Sequence, residues 1–504
     1  MTHRQVLLVL SGLMLGLFLA ALDQTIVATA LPTIAGELGG LEQLSWVVTA
    51  YLLTSTASAP LYGKVSDMYG RKIVFQFAIV TFLVGSVLAG MSQSMVQLIG
   101  FRAIQGLGAG GLIVMTMTIV GDVVSPRERG RYQGYIGSVF ALSSIAGPLL
   151  GGFFVDNLSW RWVFYINVPI GLAALFVTAT VLNLPFRRVD HPVDYLGAGL
   201  LVGGVTSLLL VMVWGGSQYE WGSPEIVGLS VFALVMLGLF ILQERRVVEP
   251  ILPLRLFRDR TFAITSATGF IVGVGMFGAI VFLPLFLQVV MGASATNSGL
   301  LLLPLMGGVV TTSIVSGRLI TRTGRYKIYP LVGTSLMALG MWLLSTMSPA
   351  TTLLQASVYM LILGTGMGMV LQVLVIAVQN AVEARDLGVA TSSATFFRSL
   401  GGSFGTALFG AILTSQLASR LAHLLPAGSD TELGDLTGSP QLIAQLPPGV
   451  RDEVVDAFSH AITSSFTVAV PFLLLGLVLV IFLPEIPLRD TAHVGAGEPA
   501  APLG

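Results

Sequence analysis

Apolar residues in this chain come in long runs, each bounded by a short polar or glycine-rich turn. A membrane-crossing helix needs about 20 mainly apolar residues. By that ruler helices are expected near 6–30, 44–63, 73–92, 95–122, 131–155, 162–184, 194–214, 225–243, 262–290, 296–317, 328–347, 353–379, 388–418 and 462–484. Fourteen crossings, an even number, would put both ends of the chain on one side. The first run passes through Asp23 to Leu31 without a small-residue cleavage site, so it reads as a span and not as a signal peptide. Two stretches break the pattern. Residues 421–458 are rich in Gly, Pro, Asp and Glu and end in an amphipathic stretch, and 485–504 have the Pro/Gly/Ala composition of a disordered tail. In 244–260 charged residues alternate with Leu, Ile and Phe around Pro250 and Pro253, the pattern of an interfacial connector.

The basic residues then orient the runs. With the N-terminus assigned to the cytoplasm, twenty of the twenty-five Lys and Arg residues fall on that side, as the positive-inside bias requires. Arg161, Arg420 and Arg451 lie on the other side, and Arg102 and Arg398 fall within spans. A missed crossing would scramble this tally, so it also supports the number of helices.

Composition agrees. Of 504 residues 54% are hydrophobic and only 10% are charged, where a soluble protein carries about 25% charged residues. Most of the surface must therefore face lipid. The formal net charge of zero argues against a nucleic-acid partner, which would need a basic face. No cysteine is present, so thiolate metal sites and disulfides are excluded. The five histidines show no metal-ligand spacing, so neither a metal nor an organic cofactor is expected.

A duplication runs through the chain. The charged turn Gly63-Lys64-Val65-Ser66-Asp67-Met68-Tyr69-Gly70-Arg71-Lys72 returns in degraded form as Gly317-Arg318-Leu319-Ile320-Thr321-Arg322-Thr323-Gly324-Arg325. The glycines of 106–111 in the fourth run are echoed by 364–368 in the twelfth, and those of 147–152 in the fifth by 401–405 in the thirteenth. Runs one to six thus match nine to fourteen, with seven and eight inserted. The expected organisation is a first six-helix bundle over 1–190, an inserted pair with its connector over 191–260, and a second six-helix bundle over 261–484. Two related six-helix halves are a transporter plan, with the substrate site near the midplane between them. The glycines of 106–111 lack a following Lys-Ser/Thr and a preceding strand, so they are packing residues and not a phosphate cradle.

Four segments give the chain a family likeness. Leu22-Asp23-Gln24-Thr25-Ile26-Val27 with Ala30-Leu31-Pro32 resembles the first-helix signature of the fourteen-span drug:proton antiporters of the major facilitator superfamily. Gly63–Lys72 resembles that superfamily's loop between helices two and three, Arg102 with Gln105-Gly106 its fourth-helix motif, and Gly147-Pro148 with Gly151-Gly152 its fifth-helix antiporter motif. The resemblance covers the chain apart from the loop and the tail. It implies an all-α polytopic fold, and export of small lipophilic compounds from the cytoplasm by alternating access, driven by the proton motive force.

Several residues are candidates for that chemistry. Asp23 and Arg102 stand at similar depth toward the outer side, the first about 9 Å and the second about 10 Å from the centre of its helix at 1.5 Å per residue. Pairing would lower the aspartate's pKa and desolvation would raise it, an opposition suited to a site that gains and loses a proton. A static structural ion pair is the plainer alternative. Asp67, Arg71 and Asp122 could latch the cytoplasmic helix ends, Arg71 bridging two carboxylates with its planar fork, framed by Gly63 and Gly70. In the second copy Thr321 replaces the acid, so gating should be asymmetric. Gly147, Pro148, Gly151 and Gly152 would bend helix five and let it pack closely.

The candidates for the cargo cavity are Gln24, Tyr51, Gln105, Asn167, Gln288, Gln372, Phe397 and Arg398. One titratable acid among apolar walls favours lipophilic, often cationic cargo, whereas sugars would need denser hydrogen-bonding groups. A dedicated exporter of a metabolite, lipid or amino acid would share every motif, and a non-transporting sensor or scaffold is the alternative of another class. A membrane enzyme would need a convergent catalytic set, and none stands out. The expected location is the inner membrane, as a monomer that could work with envelope partners.

Overall fold

A computed structural model describes residues 3–38, 44–182, 194–216, 218–247, 249–293, 295–421 and 447–488. Among these residues fourteen helices have fifteen residues or more. They are α1 (His3–Leu38), α2 (Leu44–Tyr69), α3 (Arg71–Met91), α4 (Met95–Val123), α5 (Pro126–Asn157), α6 (Asn167–Val181) and α7 (Tyr195–Trp214). There follow α8 (Pro224–Glu244), α9 (Arg260–Val289), α10 (Leu303–Thr323), α11 (Ile328–Ser345), α12 (Leu353–Ala381), α13 (Leu387–Leu421) and α14 (Pro448–Ile481). Thirteen segments are long and apolar enough to cross a membrane, and the protein is a multi-pass membrane protein. The exception is α2, which makes the return crossing between α1 and α3. Its Ser55, Thr56, Ser58 and Ser66 are polar but buried against other helices.

Local chemistry sets many helix ends. Asp259 accepts from the Phe262 amide (2.9 Å) at the start of α9, and Thr352 and Gln355 form a reciprocal capping box on α12. Gly70, between α2 and α3, has φ of +96°, a backbone region that favours glycine.

The duplicated glycines pack equivalent helices. A Cβ on Gly108 would stand 2.4 Å from the Phe82 amide and one on Gly110 2.3 Å from the Ser55 carbonyl, so α4 wedges between α3 and α2. Likewise a Cβ on Gly366 would meet Gly333 O at 2.6 Å and one on Gly368 would meet Val309 O at 2.3 Å, so α12 wedges between α11 and α10. Even the interhelical hydroxyl bonds repeat: Thr54 donates to Ala103 O (2.9 Å) and Thr312 to Thr365 O (2.9 Å). One large apolar cluster lies wholly within 6–182, and another wholly within 271–473.

Two expectations from the sequence need adjustment. The amphipathic stretch after 450 is not a separate piece, because α14 already starts at Pro448, and Val454, Ala457, Phe458 and Ala461 bury into the second cluster. The tail is ordered at its start. Tyr326 donates to Pro484 O (2.9 Å), Asn380 to Pro487 O (3.2 Å), and Leu488 is buried. The rest of both expected segments, 422–446 and 489–504, lies outside the described residues.

Candidate functional site

Asp23 of α1 and Arg102 of α4 meet as a direct ion pair with both side chains almost wholly buried, through Oδ2 and Nη1. Three further polar groups close around them. Arg102 Nη1 donates to Gln105 Oε1 (2.7 Å), and Gln105 Nε2 donates to Asp23 Oδ1 (2.8 Å). Asn167, at the start of α6, donates to the same Oδ1 (3.2 Å) and to Ser86 Oγ (2.9 Å). Arg102 Nε donates to Val47 O (3.2 Å), and its guanidinium lies 4.3 Å from the centre of the Tyr51 ring. Gln105 and Arg102 share a face because they are three residues apart on a helix. α4 can approach this closely because Gly85 and Gly106 are bare: a Cβ on Gly85 would stand 2.5 Å from the Gln105 amide. A buried carboxylate costs too much to persist unpaired, and here both oxygens of Asp23 accept hydrogen bonds, Oδ2 from Arg102 and Oδ1 from Gln105 and Asn167. Asn167 Oδ1 is buried with no partner.

The cargo candidates therefore divide. Tyr51, Gln105 and Asn167 belong to the shell of the Asp23–Arg102 pair, with Gln24 beside the Tyr51 hydroxyl. Gln288 instead donates to Ser298 (2.9 Å) near the far end of α9. Phe397 packs edge-on to Phe257 of the connector (centroids 5.9 Å apart), away from that shell. Gln372 is buried with its Oε1 unpaired. Arg398 borders a small cavity between α9, α12 and α13.

At the basic-rich end of the bundle the charged turn forms a compact network. Arg71 pairs with Asp67 (2.5 Å) and with Asp122 (2.7 Å) and donates to Ser66 Oγ (2.5 Å). Asp67 Oδ2 in turn accepts from the amide of Val389 (3.2 Å), 322 residues away at the start of α13. A Cβ on Gly63 would stand 2.6 Å from Gly388 O, and one on Gly388 2.5 Å from Asp67 Oδ1. Gly388, Val389 and Ser392 thus complete this site. Small or short residues in the first turns of a helix, as these three are in α13, are too common for the sequence alone to single them out. Beyond the apolar part of α2, burial pushes the Asp67 carboxyl up to about 6 against the opposing pull of Arg71.

A second pair of bridges spans the same end. Lys64 pairs with Glu249 (2.5 Å) and Arg255 with Asp386 (2.7 Å), so the 244–260 connector is tied both to α2 and to the approach to α13. Glu244 receives the Ile251 and Leu252 amides (3.0 and 3.1 Å), which folds the connector back on α8. The degraded turn behaves differently. Gly324 closes α10 with φ of +70°, Arg325 is exposed, and Lys327 donates to Ile481 O (2.8 Å) at the end of α14. In α5, Gly147 and Gly151 press against Thr25 and Thr29 of α1, and Thr25 donates to Ser143 O (2.9 Å). Gly152 faces open space, and Pro148 lies in the same helix.

Comparison with known proteins places this architecture. The family model described as Major Facilitator Superfamily matches residues 13–406. An uncharacterized MFS-type transporter of Mycobacterium tuberculosis is 44% identical over 96% of this chain and 70% of its own length. Multidrug transporter protein MdtP of Bacillus subtilis is 38% identical over 96% of this chain and 94% of its own. Among solved structures, the human organic anion transporter MFSD10 aligns with a TM-score of 0.64 at 16% identity, over 94% of this chain and 99% of that one, a likeness of fold alone. With its duplicated six-helix pattern, its charged turn and these relatives, the chain belongs to the major facilitator superfamily, whose members are transporters and not enzymes.

Proposed function

We propose that this protein exports lipophilic, often cationic drugs from the cytoplasm in exchange for protons, by alternating access, from the cytoplasmic membrane with both termini inside. It would work as a monomer, alone or beside envelope partners, with the proton motive force as its only energy source. The observation that carries the reading is the sealed Asp23–Arg102 pair, an intramembrane acid whose counter-charge sits on a neighbouring helix. Protonating Asp23 removes the charge that holds Arg102, and the Gln105 and Asn167 bonds to Oδ1 weaken with it. In the state facing the cytoplasm, a cationic cargo competes with Arg102 and the proton for the same carboxylate. One charge crossing 100 mV is worth about 2.3 kcal/mol, and each pH unit about 1.4 kcal/mol. One or two protons then support concentration ratios from about ten to several thousand.

Dye efflux in cells stripped of their own pumps tests the reading. Export is expected to stop when an uncoupler collapses the gradient, and the variant Asp23→Asn to fall to a few per cent of wild-type export at equal expression. Export that ignores the uncoupler, or an Asp23→Asn protein that pumps at normal rate, would overturn it.

A further inference from the structure

Arg398 lies in the interior of its span, away from either end of α13, and has no hydrogen bond and no ion pair among the described residues. Asp23 and Arg102, also in the interior of their spans, neutralise each other. Arg398 stands 11 residues into α13, a rise of roughly 16 Å at 1.5 Å per residue. An arginine side chain is too short to span that depth and reach the basic-rich end, so snorkelling does not dispose of the charge. No carboxylate lies near enough to act on it. Arg398 borders a cavity of about 10 Å³ walled by Leu371 and Leu374 of α12 and by Thr265 and Gly269 of α9. That is the space of about one water. A Cβ on Gly269 would meet nothing closer than Ala394 O at 3.8 Å, so the cavity has slack on the α9 side. The hydroxyl of Thr265 donates to Thr261 O (2.6 Å) and its lone pairs remain available.

An ionised group inside a membrane is costly, and such groups pair with one another or mark the path of a ligand. Here a side chain with five N–H donors borders a site whose other lining residues, Thr265 apart, are apolar. We infer that this cavity is the closed form of an anion-recognition subsite that, once α9 shifts at Gly269, takes the carboxylate, sulfonate or phosphate head of an amphiphilic molecule, its tail lying along the leucine wall. The planar fork of arginine suits a two-oxygen acceptor. The inference rests on the exporter reading only for naming the ligand as cargo, and it adds anionic amphiphiles to the cationic ones that Asp23 would favour. A phospholipid of the same leaflet offers the same chemistry.

The experiment is equilibrium binding to purified full-length protein in nanodiscs, with no proton gradient, so its outcome is independent of transport coupling. The probes are dansyl-undecanoic acid and its methyl ester, in discs of phosphatidylcholine alone and with phosphatidylglycerol added. In phosphatidylcholine the acid is expected to bind tenfold or more tighter than the ester. Arg398→Met should erase that preference and Arg398→Lys retain part of it. Gly269→Ala, which narrows the cavity and keeps the charge, should weaken the acid more than the ester, and it carries the test if Arg398→Met does not fold. Loss of acid binding in phosphatidylglycerol discs, absent in Arg398→Met, would assign the anion site to lipid. Equal affinity for acid and ester in the wild type overturns the inference. So does a preference that survives both Arg398→Met and Gly269→Ala.

Discussion

Asp67 shows how one residue can make the basic-rich end sensitive to pH. In the latched arrangement its carboxyl is buried between Arg71 and the Val389 amide, with its pKa raised to about 6. Once α13 moves away, the group regains water and the ordinary carboxylate value near 3.9. The latched form therefore binds the proton more tightly, so acid favours it. That stabilisation is complete below the ordinary value and is lost as pH rises through about 6, changing by at most about tenfold per unit between them. A spin-label pair across the ends of α2 and α13 should show the latched distance gaining population as pH falls from 7 to 5. In Asp67→Asn the population should no longer respond to pH in that window. A wild-type distribution that loosens on acidification would contradict the sign. The Asp23–Arg102 pairing, by contrast, was already legible in the sequence. Two charges inside helices of known direction fix their own depth, and only one counter-charge was available at that depth.

At the scale of elements, the inserted pair acquires a mechanical place. The connector that follows α8 carries Glu249 to Lys64 and Arg255 to Asp386, so it straddles the seam between α2 and α13. Ile251, Leu252 and Leu256 bury there in one cluster with Leu387, Val389 and Ala390 of α13 and Leu201 and Val205 of α7. A strap fixed to both sides of a gate should slow its opening. Partly exposed ion pairs contribute about 0–1 kcal/mol each, so Glu249→Gln with Asp386→Asn should speed opening by about three- to tenfold. The chain has no cysteine, so a lone Ser393→Cys, at a position 1% exposed, reports opening by its maleimide labelling rate. An unchanged rate would remove the strap from the gating mechanism. Sequence reading placed this segment at the interface but could not assign it a partner, because charge alternation says nothing about which distant helix it meets. Phe397 illustrates the same limit. Adjacent residues on a helix point about 100° apart, so Phe397 turns to the connector while Arg398 turns to the cavity.

For the molecule as a whole, the first and last six helices repeat one packing scheme, which the glycine pattern revealed because close helix approach demands small residues. The seams between the halves were not legible, since they depend on faces that evolve no periodic mark. They run where α2 meets α13, as at Gly63 and Gly388, and where α5 meets α10. The two copies of the charged turn differ in the same sense. The first holds α13 through Asp67, and the second is tied to its own α14 through Lys327 and Tyr326. If the halves rock against each other, a covalent bond across the α5–α10 seam must stop transport. Gly137 and Ser313 offer the geometry, since a Cβ on Gly137 would stand 3.6 Å from the Ser313 Cβ, within the 3.5–4.5 Å usual for a disulfide. The double variant Gly137→Cys, Ser313→Cys should lose at least about 90% of dye export on oxidation and recover it with a reductant, while each single variant is indifferent to both treatments. Full export by the oxidised, demonstrably cross-linked protein would mean that this seam does not open, and alternating access would have to proceed through α2 and α13 alone.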